Sequence, residues 1–206
     1  MTVPASQSRL VIFAKAPQPG SAKTRLIPAL GAEGAAALAE RMLAHILAQA
    51  LAAQVGPVEL CMSPAPSHPA WGKIAIPAAV QRTDQGEGDL GARMARAVHR
   101  VTATHGQPVL LMGSDCPGLT SPVIREAARQ LQLHDAVLLP TADGGYVLIG
   151  LKSPCPALFD RMAWSTSSVA LETFRRMAGL GLKVWLGPLL HDIDEAADLA
   201  HLSPDF

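Results

Sequence analysis

The 206-residue chain has only three cysteines, Cys61, Cys116 and Cys155, an odd and widely spaced set that excludes a disulfide framework and a CxxC zinc site. It has no basic excess either. Lys+Arg and Asp+Glu number 17 each, which argues against nucleic-acid or anionic-membrane binding. The most apolar helical stretch, residues 42–53, carries His45 and Gln49 and falls short of the ~20 apolar residues that span a bilayer. The first eight residues lack the basic-then-apolar order of a signal peptide, and the apolar run at 10–14 is too short for its core, so the cytoplasm is the expected compartment. Several catalytic signatures are missing as well. Ala22 stands where a Walker A loop needs glycine before Lys23-Thr24, no GxGxxG is present, and Gly113-Ser114-Asp115-Cys116 lacks the second glycine of a nucleophile elbow. None of the seven histidines is marked by spacing as a base for Ser114 or Cys116.

What is present suits one large core. Hydrophobic residues make up 49% and charged residues 17%, with no internal repeat or low-complexity linker, so residues 1–206 are expected to form a single domain. Short aliphatic runs bounded by Gly, Pro or polar residues predict buried strands at 9–14, 58–62, 109–112, 136–140, 146–151 and 183–186. Helical periodicity predicts helices over about 32–54, where Leu38, Met42, Ile46 and Leu47 recur, and over 90–104. Thr120-Ser121-Pro122 predicts a capped helix to about 131, and Ser165 a helix to 177 closed by Gly179 and Gly181. The alternation is α/β. It implies a mainly parallel central sheet with helices on both faces and ligands at the carboxyl ends of the strands.

Four segments carry chemistry. Lys15-Ala16-Pro17-Gln18-Pro19-Gly20-Ser21-Ala22-Lys23-Thr24-Arg25-Leu26 follows the first strand as a basic loop that Pro17, Pro19 and Gly20 help to curl, reading as a phosphate cradle or a solvated basic turn. Asp115 is delivered to the end of the strand at 109–112, where a hard divalent cation or a turn cap would use it. Thr141-Ala142-Asp143-Gly144-Gly145-Tyr146 reads as a hairpin turn or as a loop presenting a carboxylate and the chain's only tyrosine to an acceptor. His191-Asp192-Ile193-Asp194 alternates so that Asp192 and Asp194 share a face, with Asp194 also suited to cap a short C-terminal helix.

With these segments in order, together with Gly88-Asp89-Leu90-Gly91-Ala92-Arg93-Met94 and Trp164-Ser165-Thr166, the chain resembles the bacterial DUF2064 family of the nucleotide-diphospho-sugar transferase superfamily, nearly over its full length. The resemblance implies a GT-A fold. It implies donor-phosphate binding by Lys15, Gly20, Lys23 and Arg25, and Mg²⁺ or Mn²⁺ on Asp115 with Asp194, Asp192 standing in reserve. Gln85, Gly91 and Arg93 fall where relatives contact the nucleobase, although Asp89 also fits a plain helix start. Asp143, with Asp115, is the expected catalytic carboxylate, and Gly144, Gly145 and Tyr146 are expected around a small-molecule acceptor.

The chemistry expected is transfer from a nucleotide-activated donor. In the first form a nucleotide sugar loses its diphosphate as the acceptor hydroxyl, deprotonated by Asp143, attacks the anomeric carbon. In the alternative a phosphorylated acceptor attacks the α-phosphate of a nucleoside triphosphate and pyrophosphate leaves, which the basic loop and its similarity to phospholactate guanylyltransferases favour. A non-catalytic nucleotide-binding module would not need Asp115, Asp143 and Asp194 together.

Overall fold

The computed structural model describes residues 7–203 and 206; the leader reading rests largely on residues 1–6, outside the described residues. Seven strands, β1 (Arg9–Lys15), β2 (Val58–Ser63), β3 (Gln81–Asp84), β4 (Val109–Met112), β5 (Ala136–Pro140), β6 (Tyr146–Leu151) and β7 (Val184–Leu186), form one sheet in the order β3-β2-β1-β4-β6-β5-β7. Among the described residues four α-helices flank it: α1 (Ile27–Ala53), α2 (Leu90–His99), α3 (Ser121–Leu133) and α4 (Val169–Gly179).

The sheet is mainly parallel, as the alternation implies. Only β6 runs against its neighbours, pairing antiparallel with β4 and β5. The cause is local, because the connection at 141–145 is a short hairpin and a parallel return would need a crossover of a dozen or more residues.

Alternation along the strands feeds two cores. Leu10, Ile12, Leu110 and Met112 face α1 and α3, meeting Leu43, Ile46, Leu47, Ile124 and Leu131. Val11, Leu111 and Ile149 face α2 and α4, meeting Met94, Val98 and Met177. Burial on both faces explains why the central strands read as unbroken aliphatic runs. Among the described residues no helix is long and apolar enough to cross a membrane.

Two local readings change, and one is explained. β3, Gln81-Arg82-Thr83-Asp84, escapes the apolar pattern because it is an edge strand, three of whose four residues are exposed. It is held by pairing with β2 and by a 2.6 Å hydrogen bond from Thr83 Oγ1 to the fully buried Glu59, whose charge Arg100 neutralises. The helix expected from Ser165 begins at Val169, since Ser165 has φ 62 and cannot be helical. Gly31, at φ 71 and ψ 166, breaks the first turn of α1 from the rest, so the regular helix starts near the expected 32.

Candidate active site

Lys15 closes β1 and the basic loop leaves from the carboxyl edge of the sheet, tied to β2 by a 2.9 Å bond from Ala16 N to Ser63 O. The Gln18 carbonyl accepts from Ser21 N (3.1 Å) and Ala22 N (3.0 Å), which curls the chain, and Gly20 turns it at φ 78. Lys23 follows in the left-handed conformation (φ 47, ψ 48). Its side chain is 11% exposed, and Nζ donates to Asp194 Oδ1 at 2.6 Å and to Asp115 Oδ2 at 3.0 Å. Burial pulls the ammonium pKa down, but the charges of Asp115 and Asp194 and their hydrogen bonds outweigh it, so the pKa is raised and Lys23 is cationic. Arg25 stays exposed with a 3.5 Å contact to Glu195, and Lys15 is exposed with no ion pair among the described residues.

The two aspartates reach Lys23 from opposite ends of the sequence. Asp115 stands three residues past β4, and its carbonyl accepts from Ile193 N at 2.9 Å, which lays the C-terminal segment alongside it. Ile193 is fully buried against Leu26 and Leu38, leaving Asp192 and Asp194 to the other side of the extended segment, as their alternation suggests. Asp194 is not the helix cap. Glu195 takes that position, and Asp198 Oδ2 accepts from Asp194 N (3.0 Å) and Glu195 N (2.7 Å), so the Asp194 carboxylate is free for Lys23.

Among the described residues no group of three or more His, Cys, Asp or Glu can by itself hold a metal ion. Asp115 Oδ2 and Asp194 Oδ1 nevertheless both face the point where Lys23 Nζ stands. Mg²⁺ or Mn²⁺ bridging protein to phosphate needs one or two carboxylates, with water and substrate oxygens completing its shell. The donor set fits a bridging ion of that kind, not an all-protein cage.

Beside this ion triad lies a cavity of about 230 Å³. Its walls include Phe13 of β1, Met94 of α2, Leu111 of β4, Tyr146 of β6 and Trp164, and the carboxylates of Asp115, Asp143 and Asp192 sit at its polar side. Burial, then the charges of Asp143 and Asp115, push the Asp192 carboxyl up to about 6. Asp143 lies in the β5–β6 hairpin loop, where its Oδ1 accepts from Thr141 Oγ1 (2.6 Å) and Gly145 N (2.8 Å). The hairpin reading of this loop is therefore realised, and Asp143 and Tyr146 also line the cavity. Gly144, at φ 90, is packed so closely that a Cβ would lie 2.0 Å from Ser167 O, and its carbonyl accepts from Ala170 N at 2.8 Å. That contact clamps the loop to the start of α4.

The remaining predicted positions divide. Tyr146 gives the cavity its ring, but burial pushes its phenol pKa up and the hydroxyl faces Thr173 of α4 without a hydrogen bond of good geometry. The phenol oxygen is therefore buried against α4. Gln85 is buried, its Nε2 donating to Ala14 O (3.2 Å) and Cys61 O (3.0 Å), so it clamps the ends of β1 and β2. Gly91 permits packing: a Cβ there would lie 2.5 Å from Phe159 O. Arg93 reaches Gly88 O (2.8 Å) and Ser63 Oγ (3.3 Å) at the end of β2, on the same edge as Lys15. Asp89 caps α2 through a 2.8 Å bond from Ala92 N.

Sequence reasoning did not assign Phe13, Met94, Trp164, Ser165 or Thr166 to the site, yet all line the cavity. The available signal was Trp164-Ser165-Thr166, a bulky aromatic followed by two hydroxyl residues ahead of a helix, which reads equally as a helix start.

A family described as uncharacterized proteins conserved in bacteria, DUF2064, matches residues 46–166, more than half of the chain. The chain belongs to DUF2064. A protein of Desulfovibrio desulfuricans G20, provisionally described as a nucleotide-diphospho-sugar transferase, is 32% identical over 97% of this DUF2064 chain and 87% of its own, with a TM-score of 0.89. Rv0371c of Mycobacterium tuberculosis H37Rv, solved in complex with manganese, is 16% identical over 96% and 97% of the two chains, with a TM-score of 0.56. CMP:2-keto-3-deoxy-manno-octonic acid synthetase in complex with CTP is 13% identical over 95% and 96%, with a TM-score of 0.53. At those lower identities the likeness is one of fold alone, and the fold is that of nucleotide-diphospho-sugar transferases. No functionally curated protein matches the chain.

Proposed function

We propose that this DUF2064 chain is a metal-dependent transferase that uses a nucleotide-activated donor, and that it moves a sugar from a nucleotide-diphospho-sugar to a small-molecule acceptor, as one domain working in the cytoplasm. The observation that carries the proposal is the meeting of Lys23 with Asp115 and Asp194, at 3.0 and 2.6 Å, between a basic loop and a partly open cavity lined by Asp143. Cations and carboxylates so arranged suit a diphosphate that must be held while the bond beyond it is broken.

Lys15, Lys23 and Arg25 bind the donor phosphates and stabilise the charge that grows on the leaving diphosphate, with the exposed Lys15 and Arg25 able to approach without breaking a buried contact. Arg93 and the Gln85 backbone bound the nucleoside side of the same edge. A divalent ion held by Asp115 and Asp194, with Asp192 beside them, would supply Lewis-acid stabilisation of the diphosphate. In the cavity the acceptor hydroxyl oxygen forms the new bond to the anomeric carbon while the bond from that carbon to the diphosphate oxygen breaks. The electron pair leaves with the nucleoside diphosphate, and the hydroxyl proton passes to the Asp143 carboxylate, which Thr141 and Gly145 hold in place.

One observation favours nucleotidyl transfer instead: three cations stand in one loop, enough for a triphosphate. Thermal-shift measurements with nucleoside triphosphates and nucleotide sugars, with and without Mg²⁺ or Mn²⁺, separate the readings, since a tight ligand raises the apparent stability by mass action. The expected result is metal-dependent stabilisation by a nucleotide sugar. Stabilisation by a triphosphate and by no nucleotide sugar would overturn sugar transfer, and no metal-dependent response to either would overturn the transferase reading.

A further inference from the structure

The cavity beside the ion triad has a charge pattern of its own. Its wall is largely apolar, with Phe13, Met94, Leu111, Tyr146 and Trp164 supplying most of the bulk. Its ionisable lining consists of Asp115, Asp143 and Asp192, together with the half-buried Tyr146; among the described residues no lysine, arginine or histidine lines it. The cations of the site lie elsewhere. Lys23 is held by Asp115 and Asp194, Arg25 by Glu195, and Arg93 by the Gly88 carbonyl and Ser63, while Lys15 ends β1 outside the lining. The site is thus divided into a cationic edge that receives phosphates and a cavity lined by apolar surface, carboxylates and the neutral hydroxyl residues Thr141, Ser165 and Thr166.

That division sets what the cavity can accept. A phosphate or carboxylate entering it would leave water, meet like charges and find no cation in the lining to pair with, Lys23 beside it being already held by Asp115 and Asp194, and an unpaired anion in such a setting is strongly disfavoured. An uncharged hydroxyl would meet a carboxylate able to accept its hydrogen bond, and an apolar body would cover the aromatic wall. The volume, about 230 Å³, lies below the roughly 300–1,000 Å³ of sites for drug-sized ligands, so the occupant is small.

We propose that the acceptor is a small, non-anionic alcohol with an apolar body, and that the cavity formed by Phe13, Tyr146, Trp164 and the three aspartates selects against phosphorylated and carboxylated acceptors. The identification of the occupant as the acceptor rests on the transferase reading above; the charge selectivity of the cavity does not. It also weighs against a phosphorylated acceptor, the partner that nucleotidyl transfer requires.

The test uses the full chain without nucleotide or metal and four probes on one skeleton: benzyl alcohol, benzylamine, benzoate and phenyl phosphate. Saturation-transfer NMR titrations give their affinities. Benzyl alcohol and benzylamine should bind saturably, with benzoate and phenyl phosphate at least tenfold weaker. Trp164→Ala should weaken the alcohol several-fold, and a combined Asp143→Asn, Asp192→Asn variant should narrow the gap between alcohol and benzoate. Benzoate or phenyl phosphate binding as tightly as the alcohol overturns the proposal, as does an absence of saturable binding by all four. Because no donor is present, the expected order of affinities alongside a failed nucleotide-stabilisation experiment would remove the transferase reading and leave the selectivity intact.

Discussion

Replacing Lys23 by methionine keeps an unbranched apolar stem and removes the one charge that Asp115 and Asp194 share. The lysine side chain is 11% exposed while the aspartates are 38% and 42% exposed, so water screens both contacts in part. Hydrogen bonds to charged groups contribute about 1.5–3 kcal/mol when shielded, and exposed ion pairs about 0.2–1 kcal/mol. Taking each contact toward the lower end gives a net loss of about 1–2 kcal/mol, which for a chain of this length lowers Tm by about 2–8 °C. Burial lowers the Lys23 pKa and the two aspartates raise it by more, so the folded value stands above the ordinary 10.5. Stabilisation from a raised lysine is complete below its unfolded pKa and is lost only as pH climbs through the folded one, so the deficit should be the same at pH 7 and pH 9. Scanning calorimetry in EDTA reads the deficit. Adding Mn²⁺ without nucleotide should stabilise Lys23→Met more than the parent chain, because a divalent ion then meets two carboxylates with no competing ammonium. An unchanged Tm in EDTA, with identical responses to Mn²⁺, would refute the shared-charge account.

Three further outcomes follow from other parts of the site. Asp192 has a folded pKa of about 6 against an ordinary 3.8, so the folded chain holds a proton the unfolded chain releases, and stability falls as pH rises from about 4 to 6 and stays lower above. Asp192→Asn should therefore gain about 1–2 kcal/mol at pH 8 in EDTA, after allowance for solvent screening, and little at pH 4; equal gains in urea unfolding at both pH values contradict this. Gly144→Ala puts a Cβ 2.0 Å from Ser167 O at φ 90, so it should cost at least about 3 kcal/mol, and an unshifted urea midpoint counts against the hairpin clamp. Burial, then the charge of Asp115, pushes the Cys116 thiol up to about 12, so native iodoacetamide labelling at pH 8 should modify Cys155 first, with labelling of Cys116 first as the contrary result.

The sequence makes some of this architecture readable and hides the rest for physical reasons. Strands buried on both faces announce themselves as aliphatic runs, and β4, β5 and β6 fall on the expected residues. β3 is silent because an edge strand with three exposed residues carries no apolar signal. The insertion of β6 between β4 and β5 depends on pairing that no local pattern encodes. In the site, Lys23 and Asp115 are visible as loop residues after strands, but their contact joins positions 92 apart in sequence and only the folded sheet brings it about. Asp194 reads as a helix cap because Asp commonly is one. Glu195 and Asp198 perform that task, and the freed carboxylate is what completes the triad. The cavity wall is the least legible part, since Phe13, Met94 and Trp164 read as ordinary core residues until three separate segments meet around them.

The central claim is that Asp115 and Asp194, with the basic loop, hold the diphosphate of a donor through a divalent ion. Calorimetric titration of the four common nucleoside diphosphates into the full chain tests it directly, in Mn²⁺ and in EDTA, with Asp115→Asn and Asp194→Asn alongside. At least one diphosphate should bind in Mn²⁺ and lose tenfold or more in affinity in EDTA and in each variant. Binding that ignores EDTA and both substitutions, or no binding by any of the four, would contradict the account.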